Sequence, residues 1–141
     1  MKVVIDTNVW VSGLLWSGAP SKILQLAHAG TIHSYVSIEL LAELEATLNR
    51  LKFSSRLSQR MQTARSLSVI AATISQTVEI DEISIEALRD SADTKIIATA
   101  IAANADTIVT GDLDLLVLES FQNIAISTPS RLLEIKQIEA D

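Results

Sequence analysis

Four carboxylates in distant parts of the chain, Asp6, Glu43, Asp93 and Asp112, have the residue type and local setting to build one metal site. Asp6 ends the run Val3-Val4-Ile5, three β-branched residues that read as a buried strand. An unpaired charge is costly inside a core, so this carboxylate belongs at the open end of a sheet, facing a cation. Asn8 comes two positions later and projects to the same side if the backbone stays extended. Asp112 follows a strand over Thr107–Thr110, after a turn at Gly111. Asp93 falls in the first turn of a helix that begins at Asp90 or Ser91 and runs through Asn104. Glu43 borders the apolar stripe Leu40, Leu41, Leu44 and Leu48 of a helix capped by Ser37, with Glu39 and Glu45 as its competitors.

Four gathered acids repel one another: at ~4 Å and an effective dielectric of ~20, each close pair costs about 4 kcal/mol. Protons or divalent cations must neutralise such a cluster. The chain has no cysteine and only His28 and His33, which argues against thiolate and histidine-rich zinc sites. Oxygen ligands favour Mg²⁺ or Mn²⁺. One or two such ions can activate bound water and stabilise the charge on a phosphodiester under in-line attack.

Each acid also has a plainer reading. Asp93 suits a helix start through the macrodipole, Glu43 a solvated helix face, and Asp112 a Gly-Asp turn. Asp114 reads as the cap of a short helix over Leu113–Leu118. Both histidines read as packing or surface residues, and Trp10 and Trp16 as core rather than base-stacking platforms.

The elements that must position these residues alternate. Strands are expected at Lys2–Ile5, Ile32–Val36, Thr107–Thr110 and Ile124–Ile126, with a weaker candidate at Val78–Ile80. Val11–Ala19 reads as an apolar loop or short helix. Pro20 opens a helix ending near Gly30, Leu57 to about Ile74 reads as one long helix, and Ile83–Leu88 as a helical turn or two. Thr128-Pro129 has the form of an N-cap and proline start for a last helix. This alternation predicts a single α/β domain over residues 1–141: a three-layer α/β/α sandwich around a parallel sheet of four to five strands. Ligands of such sheets bind beyond the carboxyl ends of the strands, and right-handed crossovers place the helix starts at that same edge. Asp6, Asp93 and Asp112 therefore belong together.

The formal charge of −6 is unlike that of a nucleic-acid binder taken whole. From Ala46 to Val78, however, there is no acid, while Arg50, Lys52, Arg56, Arg60 and Arg65 all fall there. Such a stretch is either a solvated basic face or a phosphate-contacting arm beside an acidic site. No apolar run is long enough for a membrane span. Asp6 arrives too early for a signal peptide, and with no cysteines the expectation is a cytoplasmic protein.

Val4-Ile5-Asp6-Thr7-Asn8 resembles the opening motif of the PIN-domain ribonucleases, and Val109-Thr110-Gly111-Asp112-Leu113-Asp114-Leu115-Leu116 resembles their late acidic motif. Leu40-Leu41-Ala42-Glu43-Leu44 and Asp90-Ser91-Ala92-Asp93-Thr94-Lys95 occupy the places of the two middle acids, with Ser91 where the family often has proline. Spacing to Ile96-Ile97 favours Asp93 over Asp90. Val11 through Trp16 to Gly30 resembles the branch described as toxins of bacterial or archaeal toxin–antitoxin pairs. The resemblance implies a metal-dependent endoribonuclease that leaves 5′-phosphate and 3′-hydroxyl ends. It implies Mg²⁺ or Mn²⁺ held by Asp6, Glu43, Asp93 and Asp112, with Asn8 and Thr110 as polar support and Asp114 as an auxiliary acid. It further implies RNA contacts from Arg50, Lys52, Arg56 and Arg60, a cognate antitoxin, and a homodimer.

The competing function is a non-catalytic RNA- or protein-binding module of the same fold. A phospho-acceptor or phosphatase is disfavoured: no second Asp stands two residues after Asp6, and no glycine-rich phosphate loop is present.

Overall fold

The computed structural model describes residues 1–81 and 91–140. Its centre is a six-stranded sheet formed by β1 (Lys2–Ile5), β2 (His33–Val36), β3 (Ser75–Thr77), β4 (Thr107–Val109), β5 (Ser120–Phe121) and β6 (Ile124–Ser127), in the order β3-β2-β1-β4-β6-β5. All neighbours run parallel except β5, which pairs antiparallel with β6. The sheet thus exceeds the expected four to five strands by a two-residue edge. Left-handed backbone at Gln122 and Asn123, with φ of 48° and 68°, turns β5 back onto β6.

The helices are α1 (Thr7–Leu15), α2 (Ala19–Ala29), α3 (Ile38–Leu48), α4 (Ser54–Gln59), α5 (Ala64–Thr73), α6 (Ser91–Ala103), α7 (Leu113–Leu116) and α8 (Pro129–Ala140). The expected three-layer sandwich is present. Strand β1 shows how its period of two divides the core. Val3 and Ile5 pack with Trp10, Leu15, Ile23, Leu44, Leu67 and Leu132 on one face. Val4 packs with Ile96, Ile97, Ala100 and Ile108 on the other.

Three expectations are corrected. Val11–Ala19, expected as an apolar loop or short helix, is helical as far as Leu15, but the helix α1 starts earlier than expected, directly at Thr7 with Asp6 as its N-cap, and residues 16–18 link it to α2. The backbone is therefore not extended through Asn8. The single helix over Leu57–Ile74 is two, because Met61 adopts a left-handed φ of 55° and Thr63 starts α5 with a reciprocal capping box to Ser66. The edge strand β3 is Ser75–Thr77 rather than Val78–Ile80. The helical turn expected at Ile83–Leu88 lies outside the described residues, as does Asp90. Among the described residues no helix is long and apolar enough to cross a membrane.

Candidate active site

Asp6 reaches its place because β1 is fully paired up to its last residue. The Asp6 N–H donates to the Val109 carbonyl at 2.9 Å, and its carbonyl accepts from Val9 and Trp10 to start α1. The carboxylate is left at the carboxyl edge of the sheet. Its Oδ1 accepts from the Thr7 N–H at 2.8 Å, and its Oδ2 accepts from the Thr110 hydroxyl at 2.6 Å. Thr110 is fully buried, one residue past β4, and its N–H donates to Ser127 of β6. Its hydroxyl also accepts from the Asp112 N–H at 3.0 Å. One threonine therefore sets two of the acids.

Asp112 is itself the N-cap of α7, accepting from the Asp114 N–H at 2.9 Å. The cap expected at Asp114 is thus Asp112, while Asp114 is exposed in the first turn. Glu43 is held by Thr7, whose hydroxyl donates to Glu43 Oε2 at 2.7 Å. Thr7 lines the site and holds one of its acids, a position that sequence reasoning missed. Its signal is a hydroxyl next to a strand-ending acid in an otherwise apolar run. Asp93 lies in the first turn of α6, only 4% exposed. Helices α3 and α6 are locked together by Ser37, the cap of α3, whose Oγ lies 2.9 Å from Thr99 Oγ1. That contact joins the helix that carries Glu43 to the helix that carries Asp93.

The result is a cavity of about 160 Å³ lined by all four acids together with Thr7, Asn8, Thr47 and Arg50. Loss of hydration by burial, more than any other cause, raises the pKa of Asp6 above the ordinary carboxylate value. The hydrogen bonds from Thr110 and Thr7 oppose the rise, and the charges of Glu43 and Asp112 add to it. Among the described residues no three acids already close around a single point as a finished metal site. The cavity instead has room for an ion that keeps part of its water shell, as Mg²⁺ usually does while bound through one or two carboxylates. A buried all-oxygen donor set, in which the charges of Glu43 and Asp112 bear on a desolvated Asp6, fits a hard divalent cation.

The basic residues separate. Arg50 is exposed and lines the acidic cavity. Lys52 lies over the Phe53 ring at 5.1 Å. Arg56 donates from Nε to the Leu15 carbonyl at 2.7 Å and covers the Trp16 ring at 5.6 Å. Arg60 lines a different cavity with Leu14, Leu24, Leu67 and Ile70. Trp10 is core as expected, but Trp16 is 44% exposed, its ring 6.1 Å from that of Phe53.

A parallel sheet between helical layers, with carboxylates from four separate elements at its carboxyl edge, defines a class of α/β proteins with an acidic site. Residues 2–114 match the family model of the PIN domain, and the chain belongs to that family. It is similar to the uncharacterised protein MJ1680 of Methanocaldococcus jannaschii, 33% identical over 99% of this chain and 92% of the relative. Its fold is similar to VapBC2 from Rickettsia felis, solved bound to a DNA fragment from its promoter, with a TM-score of 0.61 and 18% identity. It is also similar to FitAcB from Neisseria gonorrhoeae, with a TM-score of 0.51 and 20% identity. Each alignment covers 91% of this chain and 98% of the other.

Proposed function

We propose that this chain is a metal-dependent endoribonuclease and the toxin of a toxin–antitoxin pair. The observation that carries the reading is the cavity lined by Asp6, Glu43, Asp93 and Asp112, brought from four elements to one edge of the sheet. PIN domains are typically nucleases, and four acids in one pocket suit phosphodiester hydrolysis better than passive binding of a polyanion. The toxin role rests on the resemblance of Val11–Gly30 to that branch and on the fold shared with VapBC2 and FitAcB. A cognate antitoxin and a second copy of the chain are its protein partners.

Asp6, Glu43, Asp93 and Asp112 would hold Mg²⁺ or Mn²⁺, which would supply Lewis-acid chemistry at the phosphodiester. Thr110 and Thr7 act on the ligands rather than the substrate. Each spends a hydroxyl proton on one carboxylate oxygen, which fixes the group while its other lone pairs stay open. Arg50 offers a planar guanidinium to a phosphate oxygen at the same cavity. Hydrolysis leaves a 5′-phosphate and a 3′-hydroxyl.

The test uses protein purified free of any partner, with single-stranded and structured RNA. Cleavage is expected with Mn²⁺ or Mg²⁺, should stop with chelator and return when metal is restored. Cleavage that continues undiminished in chelator overturns the reading.

A further inference from the structure

Beside the acidic cavity lies a second cleft of about 320 Å³, whose lining is apolar at Val9, Ala19, Pro20 and Pro129, open at Gly111, and polar at Asn8, Ser12 and Ser130. Its volume stands at the lower end of the ~300–1,000 Å³ range of small-ligand pockets. We propose that this cleft receives the nucleobase next to the scissile phosphate, and so sets which nucleotide flanks the cut. The inference rests on the ribonuclease reading of the acidic cavity.

Continuity identifies the occupant. Asn8 lines both spaces, and Gly111 of the cleft is bonded to Asp112 of the cavity. A strand with its phosphate at the carboxylates has its neighbouring base at this cleft. The chemistry of the lining favours a base over a second phosphate. No cation lines the cleft among the described residues. Helix α8 begins here with Pro129, and α2 carries Pro20 in its first turn, so each helix start has one N–H fewer to give an anion. Apolar walls with a few polar groups suit a flat heteroaromatic ring, and protein readout of RNA sequence works mainly on such unstacked bases. The Asn8 carboxamide and the Ser12 and Ser130 hydroxyls make no hydrogen bond to other described residues, so they are available to base edges.

Gly111 gives an independent observation. Gly13 is required by packing, since a Cβ there would meet Leu24 Cδ1 at 2.7 Å and the Pro20 carbonyl at 2.9 Å. Gly18 and Gly30 have positive φ. Gly111 has neither reason: its φ lies outside the left-handed region and a Cβ would meet nothing within 4 Å. The missing side chain keeps the cleft open rather than the fold intact.

The experiment titrates nucleoside 5′-monophosphates, and separately ribose 5-phosphate, into ¹⁵N-labelled protein and follows the amide resonances of Asn8, Ser12, Gly111 and Ser130. Saturable shifts are expected with at least one base-bearing ligand and not with ribose 5-phosphate. Gly111→Val, and independently Ser130→Leu, should weaken that binding about tenfold, the scale of one base contact, with the remaining spectrum unchanged. Equal shifts from ribose 5-phosphate, unaltered affinity in both variants, or no shift at these residues would each overturn the proposal. The readout needs no turnover, so a protein that binds bases here yet cuts no RNA refutes the nuclease reading alone.

Discussion

Thr110 donates its hydroxyl proton to Asp6 Oδ2 across 2.6 Å, joining residues 104 positions apart. The Thr110 hydroxyl oxygen in turn accepts from the Asp112 N–H. A buried threonine thus ties the end of the first strand to the turn after β4, and the two acids keep their spacing through it.

Thr110→Val keeps the shape and removes this link. The Asp6 carboxylate loses a hydrogen bond that lowers its pKa, so that pKa should rise further. Loss of a hydrogen bond to a charged, largely desolvated group is expected to cost about 1–2 kcal/mol of stability. Mn²⁺ affinity should drop about tenfold, as when the outer partner of a ligand is removed. Thermal unfolding and calorimetric titration check the two effects.

Thr7→Val tests the second tether separately. It leaves Asp6 with its Thr110 contact and frees only Glu43. Metal affinity should fall by less than in Thr110→Val, and stability by no more than about 1 kcal/mol. A larger loss than for Thr110→Val would reverse the ranking of the two threonines.

Asp6 also makes stability depend on pH. Its folded pKa is raised above the ordinary value near 3.8, so the folded metal-free protein binds this proton more tightly than the unfolded chain does. The stabilisation is complete below the ordinary value and is lost as pH rises through the raised one. Between those two pH values, metal-free wild type should become less stable with rising pH relative to Asp6→Asn, which carries no charge to desolvate. Denaturant melts of both proteins across the acidic range check the sign.

Gly13→Ala probes the contact of α1 with α2. Its Cβ would press on Leu24 and on the Pro20 carbonyl. Backbone cannot yield as a side-chain end does, so a loss of about 1–3 kcal/mol is expected, the usual scale of overpacking. Chemical denaturation measures it.

The basic stretch divides by role. Arg56→Ala removes a hydrogen bond to Leu15 and the cover of Trp16, and should lower stability by about 1–2 kcal/mol. Arg50→Ala touches only the acidic cavity. It should leave the melting temperature unchanged while weakening RNA binding and flattening its salt dependence. Both variants need a melt and a salt series of binding isotherms.

Much of this arrangement is legible in the sequence. Asp6 and Asp112 stand out because a charge that ends a β-branched strand has only the sheet edge to occupy. Glu43 and Asp93 carry weaker signals, since any helix tolerates acids near its start. They become readable only in order with the other two. The Thr7–Glu43 contact spans 36 positions, and no local pattern announces it. The break at Met61 was hidden because apolar spacing continues across it from Leu57 to Leu67. A two-residue strand such as β5 has too few residues to show a period. The arginines share a sign in the sequence, but only the fold separates Arg56, spent on Leu15 and Trp16, from Arg50 at the acids.

Under the proposed function Asp6, Glu43, Asp93 and Asp112 together bind divalent metal. Crystals soaked in Mn²⁺ and measured for anomalous scattering test it most directly. The expected result is one or two strong peaks inside the cavity of these four acids, one of them at oxygen-ligand distance from Asp6 and absent in Asp6→Asn. Manganese bound only elsewhere on the molecule, or a cavity that stays without a peak in wild type at saturating Mn²⁺, would contradict it.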